Sequence, residues 1–183
     1  MRREHRNVSG QAYSLTVLAP ILEGREEALA KHLEALPSGA DSPLAQVAGT
    51  HFARWVVIPD VIYEGHGQRR DHLSAPRLLF TSNFDGPLAP YLDRLRTDLG
   101  EHADAIWGHC RGYPGRDDAT AFAEWMRAHQ IRSELFFAAY GDQTVSEVHA
   151  NLELRSRLIE FALNAQALAP AELQARFRER FPL

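Results

Sequence analysis

The chain predicts an α+β fold, an antiparallel sheet with helices packed on it and further helices toward the C-terminus. Three observations carry this. Short β-rich runs interleave with segments of helical periodicity. Two of those runs, "THFARWVVI" (50–58) and "RLLFTSNF" (77–84), follow one another with no helical pattern between them. The runs at 50–58 and 133–141 also carry large apolar residues at both parities, Phe52 and Trp55, Phe136 and Phe137. A sheet apolar on both faces needs a layer over each.

The elements follow in order. "YSLTVLAPI" (13–21) predicts a buried strand that Pro20 brings to its end. "EGREEALAKHLEAL" predicts a helix, with Leu29, Leu33 and Leu36 on one face, Gly24 as N-cap and Pro37 as its stop. The strand at 50–58 is followed by a polar, Gly-bearing segment over 59–76, a length typical of functional lids or disorder. After the strand at 77–84, "DGPLAPYLDRLRTDLG" places Leu88, Tyr91, Leu92, Leu95 and Leu99 on one helical stripe. Its prolines fall in the first turn, where backbone N–H groups lack partners in any case. "ATAFAEWMRAHQ" (119–130) predicts a short helix and "SELFFAAYG" (133–141) a fourth strand. The next helix opens on Thr144 with Glu147 three residues on, a capping-box spacing, and turns Val145, Val148, Leu152 and Ile159 to its buried face. A last helix begins at Pro170 and spaces Leu173, Phe177 and Phe181 four apart, as a docking element would.

The first six main elements read βαββαβ, the ferredoxin-like plan of an antiparallel sheet with helices on one face. The open face is then covered by the C-terminal helices or by the sheet of a second subunit. The second arrangement resembles the dimeric α+β barrel superfamily over roughly residues 13–141. That superfamily includes cofactor-free monooxygenases, heme-binding enzymes and non-catalytic proteins. The strings "THFARWVV", "SNFDG" and "IWGHCRGYPG" also resemble a bacterial family of this build to which no reaction is assigned. The expected organisation is a flexible tail over 1–12, one α+β domain over 13–165 and a docking helix over 166–183.

Bulk properties narrow the function classes. With 45% hydrophobic and 24% charged residues, the 183-residue chain is of ordinary globular composition. A net charge of −4 argues against a nucleic-acid surface. One lysine, Lys31, against nineteen arginines reads as a compositional bias. A single cysteine, Cys110, excludes an internal disulfide and fits a reducing cytoplasm. No signal-peptide pattern and no apolar run near the roughly 20 residues of a membrane span occurs. The Walker, dinucleotide, nucleophile-elbow and zincin motifs are absent from the sequence.

Five residues are candidates for chemistry. His51 on the second strand is a candidate general base or axial ligand, because histidine is readily poised near neutral pH. Strict alternation puts His51 with Ala53, Trp55 and Val57, and Arg54 with Thr50, Phe52 and Val56, so the two polar side chains part unless a β-bulge intervenes. Asn83 and Asp85 form a polar row with Thr81, and Asp85 before Gly86 and Pro87 also has the chemistry of a helix N-cap, the favoured role. The Asp85–Gly86 pair resembles the distal motif of dye-decolorising peroxidases, with Ser82 where that motif has Gly. In "IWGHCRGYPG", adjacent His109 and Cys110 diverge by about 100° on a helix and do not serve one another as base and nucleophile. The string is chiefly a helix terminus, where His109 would favour its cationic form, and no metal site is expected. His66, Arg69, Arg70 and His72 form a cationic group in the long loop.

The expectation is a small-molecule enzyme, oxidoreductase-like and heme-dependent or cofactor-free, using a pocket between the sheet and its cover. Phe52, Trp55, Phe80, Phe136 and Phe137 would line that pocket. Its catalytic candidates are His51, Arg54, Asn83, Asp85 and His109, its ligand a small apolar or aromatic molecule, and its state a homodimer, with no nucleic acid or membrane engaged. In a heme version His51 or His109 is the axial ligand. The alternative is a non-catalytic ligand-binding or interaction domain whose apolar sheet face makes an oligomer.

Overall fold

The computed structural model describes residues 7–62, 65–67 and 71–182. The chain divides into two compact units, Met1–Val145 and Ser146–Leu183, a boundary earlier in the chain than the expected 165/166.

The first unit is built on an antiparallel sheet of five strands: β1 (Val8–Ser9), β2 (Ala12–Pro20), β3 (Thr50–Ile58), β4 (Arg77–Asp85) and β5 (Gln130–Ile131). The order is β1-β2-β4-β3, and β5 also pairs with β2. The central pairing of β2 with β4 runs unbroken from Ala12 opposite Asp85 to Pro20 opposite Arg77. Both strands alternate in burial, as period-2 patterning demands. Leu15, Val17 and Ala19 of β2 and Leu78, Phe80, Ser82 and Phe84 of β4 are buried beneath the helices.

Four helices make that layer: α1 (Glu26–Glu34), α2 (Leu88–Asp98), α3 (Glu101–Trp107) and α4 (Ala119–Ala128). The predicted stripe of α2 is the buried one, with Tyr91, Leu92 and Leu95 inside. Asp118 caps α4, its carboxylate accepting from the amides of Thr120 and Ala121. Trp107 of α3 stands at the centre of an aromatic cluster with Trp55, Phe80, Tyr113 and Phe122. Burial of such rings is the largest apolar contribution per residue that a core can make.

Three expectations are corrected. Residues 133–141 are not a strand: β5 stops at Ile131, and the chain then runs irregularly alongside β1. There the Ser133 amide donates to Asn7 Oδ1, the Ala138 amide to Ser9 Oγ and the Gln11 amide to the Gly141 carbonyl. Residues 7–12 are correspondingly no tail, since Asn7 is buried and Val8–Ser9 pair with β2. Third, the supposed pocket lining is dispersed. Trp55 and Phe80 pack together in the helix-side core, Phe52 points to the other face of the sheet, and Phe137 is exposed in the irregular segment.

Pro59 to Pro76 joins β3 to β4, and its base is clasped by Asp60. One carboxylate oxygen accepts the amides of Val61 and Leu73; the other pairs with His72 Nδ1 at 2.6 Å. His66 is exposed, and Arg69 and Arg70 lie outside the described residues. The His72 hydrogen bond, helped by the two amides, holds the Asp60 carboxyl down at about 2. A depressed carboxyl stabilises its surroundings above its ordinary value of 3.8 and loses that contribution as pH falls through about 2. The Leu73 amide resonance should therefore titrate with a midpoint near 2, and Asp60→Asn should abolish the transition. A midpoint at the ordinary carboxyl value would show that the clasp does not form in solution.

The second unit carries α5 (Val145–Asn164), which begins at the last residue of the first unit, and α6 (Pro170–Arg180). The two form a hairpin. Phe161 packs edge-on against Phe177 and Phe181, and Arg180 pairs with Glu160. The predicted buried face of α5 is not buried: Val148, Leu152 and Ile159 are all exposed, and no residue of the helix is fully buried. Among the described residues, no helix is long and apolar enough to cross a membrane.

Candidate functional site

The register of β3 against β4 shifts at one point. Thr50 faces Phe84, but Phe52 faces Asn83, so His51 is the extra residue of a β-bulge. From Phe52 onward, Phe52, Arg54 and Val56 belong to the outer face of the sheet, and Ala53, Trp55 and Val57 to the helix side. Before the bulge the parity is inverted. Thr50 turns to the helix layer, where its hydroxyl meets the Tyr91 hydroxyl at 3.0 Å, and His51 is released from the face that alternation assigns it. Its ring reaches Asp85, with Nε2 2.7 Å from Oδ1.

Asp85 ends the outer row of β4, after Leu79, Thr81 and Asn83, whose neighbours in sequence are the buried ones. Arg54 lies opposite Thr81 and Phe52 opposite Asn83. On β2, Thr16 and Ser14 occupy the same two levels. Four of the five predicted residues, His51, Arg54, Asn83 and Asp85, thus share one sheet face. His109 does not. It follows α3, and its carbonyl accepts from Leu22 beyond the far end of β2, whereas Asp85 faces Ala12 at the near end. Nine residues of strand at about 3.3 Å each put them on the order of 30 Å apart. They cannot be ligands of one group.

The Asp85 carboxylate is held from two directions. Oδ1 holds His51, and Oδ2 accepts the Val145 amide, the first of α5, at 2.8 Å. The predicted N-cap role is corrected in its partner: α2 has Pro87 at its N-cap with no side-chain bond, and Asp85 instead serves the amide where α5 starts. A carboxylate only accepts, so the shared proton sits on His51 Nε2. In the neutral imidazole Nδ1 is then the ring's acceptor. The two side chains are 19% and 18% exposed, enough for a small molecule to reach and dry enough to hold the pair.

Two supports went unnoticed in the sequence. Arg94 of α2 donates from Nε to the Ala48 carbonyl, and its Nη2 lies beside Gly49. Gly49 has φ of +80°, a left-handed conformation that suits glycine where the loop turns beside the carboxylate. Beneath the pair, the Tyr91 hydroxyl joins Ser82 Oγ at 2.6 Å as well as Thr50, a buried network that fixes the strand ends. Burial pushes the Tyr91 hydroxyl pKa up, so it stays protonated. An Arg one turn below an apolar stripe was the only available signal for Arg94, and it is shared by many surface arginines.

"IWGHCRGYPG" closes α3. Cys110 is buried and bridges to Ile21, and burial pushes its thiol up to about 12, the state of an inert thiol. His109 departs from expectation. Burial, reinforced by Arg25 and His32, lowers its pKa, so the neutral rather than the cationic form is favoured.

Fold and site together define an α+β protein with an aspartate-held histidine on the outer face of an antiparallel sheet. Comparison with protein-family models, with curated proteins and with solved structures finds no match for this chain.

Proposed function

We propose that the protein is an enzyme acting on a small apolar or aromatic molecule by proton transfer, with His51 as general base and Asp85 as the residue that orients it. The observation carrying this reading is the 2.7 Å His51–Asp85 bond made on a β-bulge, a local irregularity favoured where a side chain must be re-aimed. Arg54 and Asn83 on the same face are the polar groups available to a developing negative charge. Phe52, 76% exposed beside them, supplies an apolar contact. The ferredoxin-like version of the fold is supported by strand order. With the two-residue β1 set aside, the sheet reads β5-β2-β4-β3, the fourth, first, third and second strands of that plan. In the barrel version a second subunit's sheet covers the outer face and completes the pocket.

The test begins with a set of small aromatic and apolar carbon acids screened for shifts of the His51 ring resonances. Hits are then followed for deuterium exchange of the acidic C–H. Wild type should accelerate exchange. His51→Ala should lose about 10²–10⁴ of that acceleration, the usual worth of a positioned base. Asp85→Asn should keep binding but lose rate, because its amide can donate to Nε2 and select the wrong tautomer. Exchange that survives His51→Ala would sink the assignment.

A second reading has its own observation. Leu135, Phe137 and Tyr140 are largely exposed in the segment beside β1, which suits a non-catalytic interaction domain. If no ligand in the screen moves the His51 resonances, that reading replaces the first.

A further inference from the structure

The second unit, Ser146–Leu183, holds a single buried residue among those described, Ala165. Units below about 40 residues rarely stand on their own core and usually need a metal, disulfides or association. The chain's lone cysteine lies elsewhere and no metal-holding cluster occurs among the described residues, so association is the remedy left. The hairpin also displays what would associate. On α5, Val148, Leu152, Ile159 and Leu163 fall within about 60° of one another at 3.6 residues per turn. Their exposures run from 37% to 65%. This stripe is distinct from the one that meets α6, where Phe161 packs on Phe177. Between them, Leu158, Ala162, Ala165, Leu173 and Phe177 line an apolar groove of about 1080 Å³ along the seam of the two helices. The stripe and the groove make one broad apolar face. Four of the hairpin's charged groups, Glu160, Arg176, Glu179 and Arg180, line the other side of the seam.

The spacing of the stripe indicates what covers it. Val148 and Leu152 are four apart, as are Ile159 and Leu163, with the same residue classes read from either end. Laid antiparallel on itself, the stripe sets Leu152 against Ile159 and Val148 against Leu163, the self-complementarity that a two-fold interface requires. Arg155, at the edge of the stripe, then lies next to the two-fold axis, where a long side chain keeps its charged head in water. Antiparallel helix dipoles also oppose rather than reinforce each other.

We infer that the α5–α6 hairpin is a self-association module. Two copies of the chain pair antiparallel through the Val148–Leu152–Ile159–Leu163 stripe of α5 into a four-helix bundle. This is a different surface from the outer sheet face and does not rest on the enzymatic reading.

The test uses the full chain. Sedimentation should give two chains per particle for wild type at tens of micromolar, and one for Leu152→Glu/Ile159→Glu, with unchanged helical circular dichroism. Leu152→Ser/Ile159→Ser, milder in charge, should weaken the dimer at least tenfold and guards against a folding defect in the first variant. Register is read by oxidation. Chains carrying Leu152→Cys and chains carrying Ile159→Cys should cross-link when mixed but not alone, and buried Cys110 should contribute nothing. A monomeric wild type overturns the inference. So does a dimer indifferent to both pairs of substitutions, which would place the interface on another face, and so does self-linking of Leu152→Cys, which would mean parallel pairing. None of these outcomes alters the His51 exchange assay, so the two ideas fail separately.

Discussion

Trp107→Ala should cost about 3–5 kcal/mol of unfolding free energy, the range for truncating a fully buried large aromatic. Trp107 has no exposed surface and contacts four rings, with centroids 5.5 Å from Phe80, 5.8 Å from Phe122, 6.2 Å from Trp55 and 6.5 Å from Tyr113. Those partners come from β3, β4, α4 and the turn after α3, so the cavity left behind has walls held by several elements and cannot easily collapse. Against a total of about 5–15 kcal/mol for an ordinary domain, this is a large share of the stability. Trp107→Phe should cost less than half as much. It keeps most of the packing, and it removes an indole N–H that is buried with no hydrogen-bond partner. Urea unfolding followed by far-ultraviolet circular dichroism decides the matter. A Phe variant as damaged as the Ala variant would show that the indole N–H is satisfied in solution and contributes to stability.

Gly10→Ala should cost about 2–4 kcal/mol, but locally. Gly10 has φ of +61°, and a Cβ on it would overlap the Gly141 carbonyl, far inside van der Waals contact. Strain at a left-handed position costs about 1–3 kcal/mol, and the displaced hydrogen bond from Gln11 to Gly141 adds about 1 more. The collision is backbone on backbone, so no side-chain rotation relieves it. The segment 132–145 should detach from β1, taking the Val145 amide away from Asp85. Hydrogen exchange is the appropriate measurement: the amides of Ala138 and Val145 should lose protection while those of β2 and β4 keep theirs. Uniform loss across the sheet would mean that the segment and the sheet unfold as one.

The strands β2, β3 and β4 and five of the six described helices were legible from periodicity and caps. What sequence could not supply was competition for one strand edge. β1 takes Ala12 and Tyr13 of β2, so β5 finds only Thr16 and Val17 open, and "SELFFAAYG" is left outside despite its apolar run. The site was half legible. His51 and Asp85 stood out as residue types, but strict alternation kept His51 off the outer face, and the bulge that brings it there has no signature beyond a neighbouring glycine. The stripe of α5 shows a related limit. Periodicity finds an apolar face and says nothing of whether its cover lies in the same chain.

Asn7 has a consequence for the order of events during synthesis. Its side chain donates to the Ser14 carbonyl and accepts from the Ser133 amide, closing a loop of most of the domain. Long-range closures of this kind are slow because their entropy is lost before contacts compensate. The β2–β4 pairing with α1 and α2 on it can form once Asp98 has left the ribosome, whereas Asp85 must wait for Val145. A nascent chain therefore carries a partly built scaffold, and the histidine gains its fully braced partner only after Val145 has emerged.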